Sequence, residues 1–106
     1  MKKGRIQPVT NKKAQEAAKA ALCQAIVALR TPDECARFLR DLCTPTEIDA
    51  LAERWTIARL LASDRHSYRD IAAQTGASTA TVTRVARFLK EEPYQGYKLI
   101  LERTGA

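Results

Sequence analysis

The sequence predicts an all-α protomer of six helices that carries a helix-turn-helix, and three observations support that prediction. No segment alternates apolar and polar residues with the period of two that a half-buried strand requires; apolar residues recur at three- and four-residue spacing. A threonine or serine followed three residues later by an acidic residue occurs at Thr31 and Glu34, Thr44 and Glu47, and Ser67 and Asp70. Each pair is a helix-start signal, because the hydroxyl can accept one orphan amide while the carboxylate reaches back to another. Residues 67–87, SYRDIAAQTGASTATVTRVAR, hold two short helical patterns on either side of a glycine.

Taken in order, Asn11 to Arg30 is rich in Ala, Lys, Gln and Glu, with Ala14, Ala18, Ala21, Leu22, Ala25, Ile26 and Leu29 along one face of a first helix. Thr31-Pro32-Asp33-Glu34 opens a second, whose Cys35, Phe38, Leu39 and Leu42 form a stripe. Thr44-Pro45-Thr46-Glu47 starts a long third helix. Its segment WTIARLLA, Trp55 to Ala62, is apolar on nearly every side, which suits a helix held between layers or subunits. Ser67 and Asp70 cap a fourth helix from Tyr68 to about Thr75, and Gly76 supplies the permissive backbone that ends it. Ser78 caps a fifth helix running to about Glu91, Pro93 stops it, and Tyr94 to about Arg103 forms a sixth. The expected organisation is one domain: a basic arm over residues 1–10, dimerisation helices over 11–66, the helix-turn-helix over 67–91 and a C-terminal helix over 94–104.

Composition limits the function classes. The 106 residues carry 18 Lys or Arg against 12 Asp or Glu, a net charge of +6, with 45% apolar residues. That is too apolar for a disordered polyelectrolyte, and the apolar runs fall far short of the ~20 residues of a membrane span. No apolar h-region follows Met1-Lys2-Lys3, so the chain is expected in the cytoplasm with reduced thiols. Cys23, Cys35 and Cys43 form no C-x-x-C pair, His66 is the sole histidine, and neither a metal site nor a cofactor is expected. The cysteines read as buried or half-buried small apolar side chains. There is no Cys-His, Ser-His-Asp or Gly-rich phosphate-loop constellation, so an enzyme is not expected.

The charge is not uniform. Residues 65–90 hold Arg65, Arg69, Arg84, Arg87 and Lys90 against Asp70 alone, a local +4, whereas residues 41–64 hold two arginines against five carboxylates, a local −3. Within the helix-turn-helix, Ala72 is small where the second helix crosses, Gly76 can take a positive φ, and Ile71, Val82 and Val85 fill the angle between the helices. On a helical wheel the fifth helix buries Val82, Val85, Ala86 and Leu89 and turns Thr79, Ala80, Thr83, Arg84 and Arg87 outward. Together with Ser78 and Thr81 at its start, that outward arc mixes cations, hydroxyls and methyl groups able to meet the phosphates, base edges and thymine methyls of double-stranded DNA. Arg69 can donate two hydrogen bonds to a guanine edge or meet a phosphate; simple solvation is its alternative. The basic start, with Lys2, Lys3 and Arg5, can follow the DNA backbone or remain a solvated tail.

LCTPTEIDALAERWTIARLL, SYRDIAAQTGASTATVTRVARFLK, the TP-E helix start and the ATVTR core resemble the Trp repressor family, closest to its Trp-repressor-related bacterial branch. The resemblance runs from about Leu42 to Pro93 and implies a six-helix protomer in an intertwined homodimer, with two reading heads on a palindromic operator. It implies that Arg69, Thr79, Ala80, Thr81 and Thr83 lie at the DNA. Tyr68 and Ala72 differ from the family's usual polar residues, so no operator sequence carries over. In the namesake, free tryptophan is held between two arginines and a threonine-bearing turn, matched here by Arg54, Arg84 and Thr44. The namesake's glycine and serine around the indole are replaced by Val85 and Phe88, so only a remnant of the effector pocket is expected and L-tryptophan is not expected as corepressor. Ion pairing of Arg54 and Arg84 with Glu47 or Glu53, or phosphate contact, then becomes their expected use. The leading expectation is a dimeric DNA-binding repressor whose small effector, if it has one, is unidentified. The alternative is a helix-turn-helix module for protein interaction or for DNA targeting in replication or transposition.

Overall fold

The computed structural model describes residues 11–105, so the basic arm with Lys2, Lys3 and Arg5 lies outside the described residues. The described residues form six helices and no strand: α1 (Lys12–Val27), α2 (Pro32–Leu42), α3 (Pro45–Ser63), α4 (Tyr68–Thr75), α5 (Thr79–Lys90) and α6 (Gly96–Thr104). They fall into two compact units divided between Leu42 and Cys43.

The first unit holds α1 and α2. Asn11 caps α1, its side-chain oxygen accepting the Ala14 amide at 2.7 Å. The helix ends at Val27, three residues short of the expected Arg30, because the Ala28 amide already closes on the carbonyls of Ala25 and Ile26. Thr31 then starts α2: its hydroxyl accepts the Glu34 amide at 3.1 Å, and the Glu34 carboxylate accepts the Arg30 amide at 2.8 Å. No residue of α1 or α2 is buried, and Leu22, Ile26, Val27 and Leu42 stay exposed, Val27 at 80%. Cys23 is exposed as well, which corrects the expectation that all three thiols are at least half-buried; no residue of α1 is buried. Cys35 and Cys43 are half-buried.

The second unit is built around α3, which packs against α4, α5 and α6. Its start is the expected capping box, with the Thr44 hydroxyl accepting the Glu47 amide at 3.1 Å and the Glu47 carboxylate accepting the Thr44 amide at 2.8 Å. The all-round apolar segment of α3 supplies Ile57, Ala58 and Leu61 to one core with Ile71 of α4, Val82, Val85, Ala86 and Leu89 of α5 and Leu101 of α6. Trp55, Leu60 and Tyr97 pack at its edge, and the rings of Trp55 and Tyr97 stack with centroids 6.4 Å apart. Ile57, Ile71, Val82 and Val85 are wholly enclosed, and burying each such side chain contributes about 1.5–3 kcal/mol. The sixth helix begins at Gly96 and not at Tyr94, because Gln95 takes a left-handed backbone at φ 61° and breaks the run after Pro93.

Candidate nucleic-acid interface

Local devices fix the entry into α4 and the turn from α4 to α5. Asp64 closes α3 in a left-handed conformation at φ 57°, which turns the chain toward Ser67. Ser67 and Asp70 form a reciprocal capping box on α4, with the Ser67 hydroxyl accepting the Asp70 amide at 3.0 Å. Gly76 ends α4 at φ 77°, its amide bonded to the Ala72 carbonyl at 2.9 Å. The Thr75 hydroxyl donates to the Ile71 carbonyl at 2.7 Å and accepts the Ala77 amide at 3.2 Å, bracing the turn from within. Ala72 and Ala77 pack against the core, where a larger side chain would force the helices apart.

The two arcs of α5 fall as its wheel predicts. Val82, Val85, Ala86 and Leu89 are buried, and Thr79, Ala80, Thr83, Arg84 and Arg87 are exposed. Arg69 on α4 is exposed too. Ser78 and Thr81 are committed to the helix start: the Ser78 hydroxyl accepts the Thr81 amide at 3.1 Å and shares a hydrogen bond with the Thr81 hydroxyl at 3.0 Å. They therefore shape the tip of α5, while Thr79, Ala80 and Thr83 present the outward groups. Arg87 pairs with Glu92 at 3.3 Å. Among the described residues, neither Arg69, Arg84 nor Lys90 pairs with a carboxylate. The same holds for Arg54, so the expected pairing of Arg54 and Arg84 with Glu47 or Glu53 is not formed.

Of the five effector-pocket residues, three share one cleft. Arg54 of α3 and Arg84 and Phe88 of α5, with Tyr94, Gly96 and Tyr97, line an open cleft of about 340 Å³. Within it the Arg84 guanidinium lies over the Phe88 ring at 4.5 Å and Tyr94 stacks on that ring at 6.3 Å and 15°; the Arg87 guanidinium, which does not line the cleft, lies 5.0 Å from the ring centroid. Val85 is not in the cleft; it belongs to the inward arc of α5 and has no exposed surface. Thr44 does not line it either, its hydroxyl being engaged in the α3 cap. Sequence reasoning missed Tyr94, whose stacking on Phe88 requires the turn after α5, and it counts Lys90 as local charge without its contact with the Tyr68 ring at 5.7 Å.

A glycine-hinged pair of short helices with an outward arc of cations and hydroxyls defines a helix-turn-helix protein of the DNA-binding class. Within that class the chain belongs to the Trp repressor protein family, which it matches over residues 17–105. It is 43% identical over 83 residues to the uncharacterised protein YerC of Bacillus subtilis, an alignment covering 78% of each chain. A crystal structure of a TrpR-like protein from Eubacterium eligens matches with 43% identity and a TM-score of 0.79, covering 90% of this chain and 96% of that one. A proposed Trp repressor from Staphylococcus aureus matches with 35% identity and a TM-score of 0.78, covering 94% and 96%. Among the described residues, no helix is long and apolar enough to cross a membrane.

Proposed function

We propose that the protein is a homodimeric transcriptional repressor that reads a palindromic operator in double-stranded DNA and does not use L-tryptophan as corepressor. The observation that carries this reading is the segregation of α5 into a fully buried arc and an exposed arc of Thr79, Ala80, Thr83, Arg84 and Arg87 without a carboxylate, on a helix hinged to α4 by a left-handed glycine. The tip of α5 enters the major groove, Thr79, Ala80 and Thr83 read base edges and methyls, and Arg69 meets a guanine or an adjacent phosphate. Ser78 and Thr81 fix the tip; Arg84 and Arg87 line the backbone side.

Dimerisation is supported by the apolar residues that one protomer leaves uncovered: Leu22, Ile26, Val27 and Leu42 on the first unit, and Leu51, Leu99 and Ile100 on the second. Two heads about 34 Å apart would engage successive major grooves, which makes the operator two-fold symmetric. Selection of bound duplexes from a random-sequence pool at two salt concentrations tests the reading. Enrichment of a palindrome is expected; uniform binding that vanishes with salt, or no binding at low salt, would overturn it.

A further inference from the structure

We propose that Tyr68 positions Lys90 to grip a DNA phosphate at the edge of the major groove, the aromatic ring on the first turn of α4 holding the ammonium at the last turn of α5. The inference rests on the DNA-binding reading and extends its contact set beyond the outward arc.

The geometry starts from the length of α5. Twelve residues make a helix about 18 Å long, more than the roughly 12 Å width of the major groove. Lys90 follows Thr79 by eleven residues, about three helical turns, so it falls on the same side of α5 as Thr79 and Thr83, at the end of the helix away from the reading tip. At that end the Lys90 ammonium lies 5.7 Å from the centroid of the Tyr68 ring, within the range of a cation–π contact. Tyr68 is 39% exposed, so the ring is a surface platform and not a core residue.

Lys90 had other choices. It shares a cleft with Asp64 and Glu102, and Glu91 follows it in sequence, yet among the described residues it pairs with no carboxylate. Its charge is therefore held in place without being neutralised, which leaves it available to a phosphate oxygen. A flexible lysine normally loses rotamer entropy when it meets a phosphate, and a ring that already confines the side chain reduces that loss. Arg69, the next residue on α4, carries a second unpaired cation at the same helix start. The capping box on Ser67 and Asp70 fixes the backbone that bears both.

The test measures binding of the intact chain to a fluorescently labelled random-sequence duplex pool across a salt series, with folding followed by circular dichroism. Lys90→Gln should lower the slope of log affinity against log salt by about 0.9 per protomer, the value of one lost phosphate contact. Tyr68→Phe, which keeps the ring, should match the wild type in slope and affinity, and Tyr68→Leu should weaken binding at low salt. The combination of Tyr68→Leu with Lys90→Gln should bind no more weakly than Lys90→Gln alone. A wild-type slope in folded Lys90→Gln overturns the proposal alone. A Tyr68→Phe variant as weak as Tyr68→Leu overturns the role of the ring and assigns the effect to the hydroxyl. Wild-type protein that binds no duplex at low salt overturns the DNA-binding reading together with the proposal.

Discussion

The guanidinium of Arg84 lies over the ring of Phe88, 4.5 Å from its centroid, in a cleft that Arg54 also lines. With Tyr94 stacked on the same ring, the cleft already contains a planar aromatic group in contact with one of its two arginines. A free indole entering the cleft would compete with the Phe88 ring for Arg84, a cation–π contact that contributes about 0.5–1 kcal/mol at a partly exposed site. Isothermal titration with L-tryptophan is therefore expected to give no saturable heat. Stoichiometric binding in the micromolar range would contradict this.

Removing the ring should be felt as lost stability. Phe88 is half-buried beneath Arg84 and Tyr94, so Phe88→Ala should cost about 2 kcal/mol from lost burial and cation–π contact together. Urea unfolding followed by circular dichroism measures it, and a change below about 0.5 kcal/mol, the range of ordinary surface substitutions, would contradict the packing role.

Gly76 isolates a purely conformational effect. Its φ is 77°, and beyond its chain neighbours no atom lies within 4 Å of where a Cβ would stand, so Gly76→Ala meets only the left-handed strain. Thermal or urea unfolding should show a loss of about 1–2 kcal/mol. Gly76→Asn should lose less, because asparagine tolerates that region.

These residues also mark what was legible in the chain. Ser67, Gly76, Ile71, Val82 and Val85 follow from local rules, since a capping hydroxyl, a permissive turn residue and a helical stripe each act within a few positions. The same rules predict the outward arc of α5. They do not reach the engagement of Ser78 with Thr81, of Arg87 with Glu92, or of Lys90 with Tyr68, because hydroxyl rotors and long cationic side chains choose among several partners in space. The start of α6 lies two residues beyond the expected one because nothing local marks Gln95, a non-glycine, as left-handed. The exposure of Cys23 differs from the expectation because helical periodicity identifies an apolar face but not whether the same protomer covers it.

Base preference should divide from backbone affinity at individual side chains. Thr83→Ala and Arg69→Ala should relax specificity at the positions they read, Arg69→Ala at a cost of about 1–3 kcal/mol on the preferred duplex. Both side chains are exposed and lie outside the core, so the melting temperature should hold. Sequencing of duplexes selected by each variant checks this, and an unchanged preference with a lowered melting temperature would assign the two residues to the fold.

The most direct measurement is the affinity of the intact protein for the palindrome it selects, compared with a scrambled duplex of equal length and composition at physiological salt. Binding at least about 1,000-fold tighter to the palindrome, with two protomers per duplex, is the predicted result. Equal affinity for the two duplexes would contradict a sequence-reading dimer and leave only attraction between the cations and the DNA backbone.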